Sequence, residues 1–440
     1  MRWRYCLKYS ALIGLVVVAG CAQPAVNPSP SAVGPRPVLP APQSSLIPTV
    51  RTAKPVGWGA DETPQAASGL TVKAFARGLD HPRWLYVLPN GDVIVAETNA
   101  PAKSPGAGGL RGFVASLVMS GAGAGVRSPD RITLLRDTNG DGEADVRSVL
   151  LSGLHSPFGM ALAGDRLYVA NADSIRSFPY SPGVLSIDDP GRHVADLPGG
   201  PINHHWTKNI LATPDGRALY ATVGSNSNIG ENGLNNEQGR AAVWKVDIES
   251  GAGMLFATGL RNPNGLAFEP ETGRLWTTVN ERDELGPDLP PDYMTSLTEG
   301  AFYGWPYSYF GKNVDDRVRP ARPDLVATAV EPDYALGAHT ASLGLAFAPG
   351  GGLGEAFANG AFVGQHGSWN RSPPSGYRVV FIPFSEGRPS GAMVDVLTGF
   401  LNERNEARGR PAGVSFGKDG ALLVADDVGN VVWRVSRAGP

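Results

Sequence analysis

Cysteine is nearly absent from this chain of 440 residues, with two in all, Cys6 and Cys21. That excludes a disulfide framework, so stability must come from a packed core. No C-x-x-C-H run exists, which excludes covalently attached haem. Charge of one sign is also missing. The formal net charge is −3, and this argues against the basic face that nucleic acid requires. The apolar run ALIGLVVVAG at 11–20 is too short to span a bilayer. What is abundant is glycine, with 57 residues, and proline, with 38. That balance suits many short strands joined by turns. The length allows one large or two ordinary domains.

The first twenty residues read as a signal segment. Arg2, Arg4 and Lys8 precede the apolar run. Val18-Ala19-Gly20-Cys21 resembles a bacterial lipoprotein lipobox. The resemblance implies cleavage before Cys21, lipidation of its thiol, and a hold on the membrane through acyl chains alone. Ala22, not Asp, follows, and by resemblance to enterobacterial lipoprotein sorting this implies the periplasmic face of the outer membrane. Residues 21–57 are rich in Pro, Ala and Ser and are expected to form a disordered tether. Residues 58–440 are expected to fold.

From residue 70 one pattern returns six times: a polar lead-in, an apolar strand, a Gly or Asp turn, and a second apolar strand. The copies are HPRWLYVLPNGDVIVAET (from His81), HSPFGMALAGDRLYVANA (from His155), HWTKNILATPDGRALYATVG (from His205), RNPNGLAFEPETGRLWTTVN (from Arg261), HTASLGLAFAPGGGLGEAFANGAFVGQH (from His339) and RPAGVSFGKDGALLVADD (from Arg410). Turns such as PNGD and PDGR suit tight hairpins. Six copies predict an all-β six-bladed propeller. Thr71–Ala76 and Val431–Val435 are expected to meet in one closing blade. Leu110–Val126 is expected as an insertion, and Asn280–Tyr293 as a long loop after the fourth copy.

In a propeller the lead-ins of the inner strands surround the channel at one end. Four of the seven histidines fall at this one position, with Arg261, Asn262 and Arg410 at the others. A mouth of imidazole and guanidinium suits a flat anionic ligand. A separate stretch, DTNGDGEAD, sets Asp137, Asn139, Asp141 and Asp145 around Gly142, resembling the start of an EF-hand calcium loop. It is expected to hold a structural calcium, although Ser148 stands where the loop's bidentate Glu would be.

The chain resembles the glucose/sorbosone dehydrogenase family, soluble quinoprotein sugar dehydrogenases, over about residues 70–437, and most closely its L-sorbosone dehydrogenase-like members. The resemblance implies pyrroloquinoline quinone (PQQ) and Ca²⁺ above the channel. It implies oxidation of an aldose, or of a sorbosone-like aldehyde, to a lactone or acid, with electrons passed to an external acceptor. RNPNGLAF matches the family motif and assigns Arg261 and Asn262 to PQQ, with Arg261 also catalytic. His205 matches the catalytic base, which the resemblance also assigns to PQQ binding, but His204 stands where the family has Asp. Either His204 takes a weaker version of the orienting role, or Glu97 or another acid replaces it, or catalysis is impaired. Arg408 and Arg410 match a pair that binds PQQ carboxylates, and their spacing on a strand would put both on one face. The active-site lysine has no clean counterpart. Arg371 is the nearest cation, beside His366, Trp369 and Asn370. For the PQQ-site calcium the resemblance implies Gly286, Pro287, Asp292 and Tyr303. Two other readings remain open: a propeller that binds a ligand or protein without catalysis, and a metal-dependent lactonase, which needs carboxylates converging in the channel.

Overall fold

The computed structural model describes residues 32–43, 51–102 and 127–439. The signal segment, Cys21 and Leu110–Val126 lie outside the described residues.

Six antiparallel sheets stand in a ring. Blade 1 spans 82–151, blade 2 160–196, blade 3 210–258, blade 4 263–338, blade 5 342–398 and blade 6 411–437. The innermost strands are Pro82–Val87, Met160–Ala163, Ile210–Ala212, Pro263–Phe268, Ser342–Phe347 and Pro411–Phe416. Each packs on the next, and the last returns to the first. The second strand of most blades is covered on both faces. Val93–Glu97, Leu275–Val279 and Leu422–Asp426 are buried throughout, which explains why apolar residues occupy both faces rather than alternating with exposed polar ones. Core clusters form between blades rather than within them. Trp84, Ile94 and Ile132 of blade 1 meet Met160 and Leu167 of blade 2, for example.

Glycine lets the inner strands approach closely. A Cβ added at Gly344 would lie 2.4 Å from the Ala412 carbonyl, and one at Gly159 would lie 2.3 Å from the Ile210 nitrogen. No larger residue fits either place unless the ring widens.

The ring closes as expected. Leu70–Arg77 is the outer strand of blade 6 and pairs antiparallel with Val431–Arg437, Thr71 facing Ser436. The acidic stretch after the fourth copy differs. It is a loop only to residue 290, because Pro291–Ser296 forms the third strand of blade 4. The apolar Tyr293 and Met294 there find buried places between neighbouring strands.

Two parts of the segment expected as a free tether are instead laid on the propeller. Gly34 bridges to Ala335, and the Gln43 N–H donates to the Leu285 carbonyl at 2.9 Å. Further on, the Arg51 N–H reaches the Trp369 carbonyl, and Ala53 is buried. Composition hid this, because the segment docks by backbone hydrogen bonds and a few side chains. Trp58 secures it: Nε1 donates to Asp426 at 2.7 Å, and the ring packs edge-on against Phe400 and Trp433. Trp58→Ala is expected to cost roughly 3 kcal/mol. It should also speed tryptic cleavage after Arg51, read by limited proteolysis beside the unaltered chain.

Candidate active site

The lead-in residues sit where the chain turns into each inner strand. His81 and His339 take left-handed backbone angles, φ 56° and 58°, which cost a non-glycine residue about 1 kcal/mol. Partners across the mouth hold them there. Two aspartates act as hubs. Asp427, at the end of blade 6's second strand, has Arg83 Nη1 at 3.0 Å, His366 Nε2 at 2.9 Å and His81 Nε2 at 3.7 Å. It therefore joins blades 1, 5 and 6. Asp283 accepts from Arg261 Nη2 at 3.2 Å, His339 Nδ1 at 3.2 Å and Asn370 Nδ2 at 2.8 Å, joining blades 4 and 5. Burial alone would raise both carboxyl pKa values. The surrounding donors and cations outweigh it and hold both well below the usual carboxylate range. Burial also lowers His366 to about 4, so it donates to Asp427 as a neutral imidazole.

His205 stands at the head of blade 3. Its Nδ1 lies 2.8 Å from the Ser225 carbonyl and 3.1 Å from Ser225 Oγ. A carbonyl only accepts, so Nδ1 carries the proton and Nε2 keeps its lone pair. Ser225 Oγ is turned to accept, since it donates to the Ser227 carbonyl at 2.6 Å. Burial, then the charges of Arg261 and His204, push the His205 pKa well down, so the ring stays neutral. From behind, the buried Lys208 Nζ reaches the His205 and Trp206 carbonyls and Asn203 Oδ1 at 3.2–3.4 Å. The role expected of an acid is thus taken by a backbone carbonyl. His204 lies edge-on to His205, with ring centroids 4.6 Å apart. Glu97 is spent elsewhere, on Arg131, Thr133 and the Asp80 N–H.

The arginines differ from one another. Arg261 is turned onto the loop after its own blade's second strand and onto Asn228 of blade 3. Its Nη1 takes Asn280 Oδ1 and the Glu281 carbonyl, and its Nη2 takes Asn228 Oδ1 and Asp283. Its Nε and the Asn262 Oδ1 are buried and unpartnered. Arg410 lies over the Tyr377 ring at 4.8 Å and makes one long contact, Nη1 to the Gly367 carbonyl at 3.4 Å. Its Nε and Nη2 are buried without a partner. Arg408 goes elsewhere, beside Trp58 and 3.4 Å from Glu62, about a third exposed. The shared-face argument fails because the strand begins only at Pro411. Arg371 does not replace a lysine in the mouth. Its donors tie down the Pro287 carbonyl, Asp288 and the Pro373 carbonyl.

The residues expected around a PQQ-site calcium are all engaged. Gly286 O accepts from His339 and Pro287 O from Arg371. The Asp292 carboxylate takes the N–H groups of Glu281 and Ser342 and the Thr340 hydroxyl. Tyr303 donates to the Ser296 carbonyl. The DTNGDGEAD stretch is a turn closed on itself. Asp137 accepts from Gly140 and Gly142, Asn139 from Asp141, and Asp145 from Thr138. Among the described residues no group of three or more His, Cys, Asp or Glu is placed to hold a metal.

The site residues missed by sequence reasoning share a position. Asp427, Asp283, Ser225 and the Asp173 that pairs with His155 all follow the second strand of their blades, as does His366, which the sequence did offer. The signal was a polar residue after each apolar run, as in VADD and WTTVNERD.

Ring and mouth together define a six-bladed propeller with a histidine- and arginine-lined polar site at one end of its channel. The chain belongs to the TrAA12-like family, whose profile matches residues 116–289 and 324–438. An uncharacterized protein of Borreliella burgdorferi is 28% identical over 292 residues, covering 64% of this chain and 76% of that protein. A pyrroloquinoline quinone-dependent pyranose dehydrogenase of Coprinopsis cinerea is 25% identical over 339 residues, 63% of this chain and 46% of that protein. The solved PQQ domain of the Coprinopsis cinerea pyranose dehydrogenase superposes with a TM-score of 0.69 at 22% identity, covering 88% of this chain and 100% of that domain. The resemblance to PQQ-dependent sugar dehydrogenases is borne out at the level of the family.

Proposed function

We propose that the protein is a PQQ-dependent oxidoreductase that oxidises a pyranose or related sugar aldehyde to the lactone or acid, passing electrons to an external acceptor. The observation that carries this reading is Arg410, a buried guanidinium whose Nε and Nη2 meet no partner among the described residues. Such a group calls for an anion, and a carboxylate of PQQ would complete it. When bound, PQQ supplies the two-electron acceptor that the protein's own side chains lack. His205 Nε2 takes the proton of the sugar hydroxyl as the hydride leaves the adjoining carbon. The Ser225 carbonyl holds that ring in place, and Lys208 holds the His205 backbone carbonyl behind it. Against a metal-dependent lactonase stands the state of the two mouth aspartates, each capped by arginine and histidine. The lipobox at Cys21 supports a location at the periplasmic face of the outer membrane.

The test uses the chain without its first 21 residues. PQQ is titrated while tryptophan fluorescence is followed, and dye reduction is then measured over a panel of pyranoses and sugar aldehydes. Binding followed by turnover is expected. Arg410→Ala should weaken PQQ binding about 10- to 100-fold, the worth of a charge-assisted hydrogen bond. Unchanged binding would move the site away from Arg410.

A further inference from the structure

The turn Leu285–Asp288 offers two neighbouring backbone carbonyls, those of Gly286 and Pro287, and the chain meets both with side-chain cations. His339 Nε2 lies 2.9 Å from Gly286 O, while its Nδ1 lies 3.2 Å from Asp283 Oδ1. Both partners accept, so both ring nitrogens donate and the ring is an imidazolium. Pro287 O receives Arg371 Nε at 3.0 Å. The same guanidinium is fixed by Asp288 Oδ1 and by the Pro373 carbonyl, each at 2.8 Å.

These cations are not free to leave. The side chains of His339 and Arg371 are 3% and 2% exposed. The outer side of the turn is covered as well. The Gln43 N–H holds the Leu285 carbonyl, and a Cβ added at Gly286 would lie 3.1 Å from Gln43 Cβ. Adjacent carbonyl oxygens of this kind are what a hard divalent cation takes as ligands. Here two unit positive charges already hold them, and Asp292 is turned to the Glu281, Ser342 and Thr340 donors.

We propose that His339 and Arg371 stand in place of a divalent cation at this turn, so that the protein binds its quinone without calcium. The proposal rests on the quinoprotein reading above. It assigns Arg371 a positioning role: the guanidinium acts by holding the 286–288 turn against the 371–373 turn.

The experiment is a PQQ titration of the EDTA-treated chain, followed by tryptophan fluorescence, with excess EDTA in one arm and millimolar Ca²⁺ in the other. Dissociation constants within about threefold of each other are expected. Binding at least tenfold tighter with Ca²⁺ overturns the proposal and leaves the quinoprotein reading standing. No binding in either arm overturns the quinoprotein reading itself. In R371Q the carbonyl of Pro287 is released. Metal-free binding should fall at least tenfold and recover with Ca²⁺, while Arg371→Lys should keep most of it. An R371Q chain that binds like the unaltered protein in EDTA counts against the proposal. If R371Q does not fold, the two-arm titration of the unaltered chain decides.

Discussion

Replacing His205 by alanine is expected to lower turnover of the PQQ-loaded protein by roughly 10²- to 10⁴-fold, the usual contribution of a positioned base. PQQ binding should change by only a few-fold. The expectation follows from the tautomer. Ser225 fixes the proton on Nδ1, and that leaves Nε2 as the one nitrogen able to accept. The same surroundings set the pH dependence. Burial, Arg261 and His204 lower the pKa, so the base stays unprotonated as the pH falls through the ordinary imidazole range near 6.5. The acidic limb of kcat should therefore lie below that value. A limb at or above it, or a His205→Ala chain with near-normal turnover, removes His205 from the role.

Asp427→Asn is expected to destabilise the fold by about 3–5 kcal/mol, the cost of breaking a buried charge cluster from one side. The carboxylate is 1% exposed and faces Arg83, His366 and His81. The amide keeps the shape but turns an acceptor-only group into a partial donor against the Arg83 and His366 donors. An exposed pair is the control. His193 and Asp196 lie 2.9 Å apart at the surface, and Asp196→Asn should leave stability unchanged. Denaturant unfolding monitored by tryptophan fluorescence measures both. The pH sign follows from the lowered pKa of Asp427. Its contribution is present above the unfolded value near 4 and is lost as acid titrates the folded carboxyl, so strong acid should mimic the substitution. An Asp427→Asn chain as stable as the control would show that the cluster holds nothing together.

Ring order and closure were legible in the sequence because they rest on local repetition. Each copy carries its own strand, turn and strand, and the leftover first strand finds the free edge of the last one. The site was legible by halves. The lead-ins stood out because histidine is scarce and fell repeatedly at one position. Their partners did not, since Asp283 and Asp427 look like ordinary polar ends of strands until the ring brings them across to another blade. Spacing misled at Arg408 and Arg410, where strand alternation was applied to residues that precede the strand. The tether misled for a related reason. Proline-rich composition says what a segment cannot bury by itself, and it is silent on what a finished surface offers it at Leu285, Trp369 and Asp426.

The seam between Leu70–Arg77 and Val431–Arg437 makes the mouth a check on completion. His81 and Arg83 are made early in synthesis and Asp427 among the last residues, and the seam brings them together. Contacts so distant along the chain form late in folding. A partly made or wrongly closed ring therefore presents uncapped histidines and arginines and no finished pocket. Ligand capture becomes the privilege of molecules that have closed, and an immature chain has nothing with which to sequester a scarce ligand.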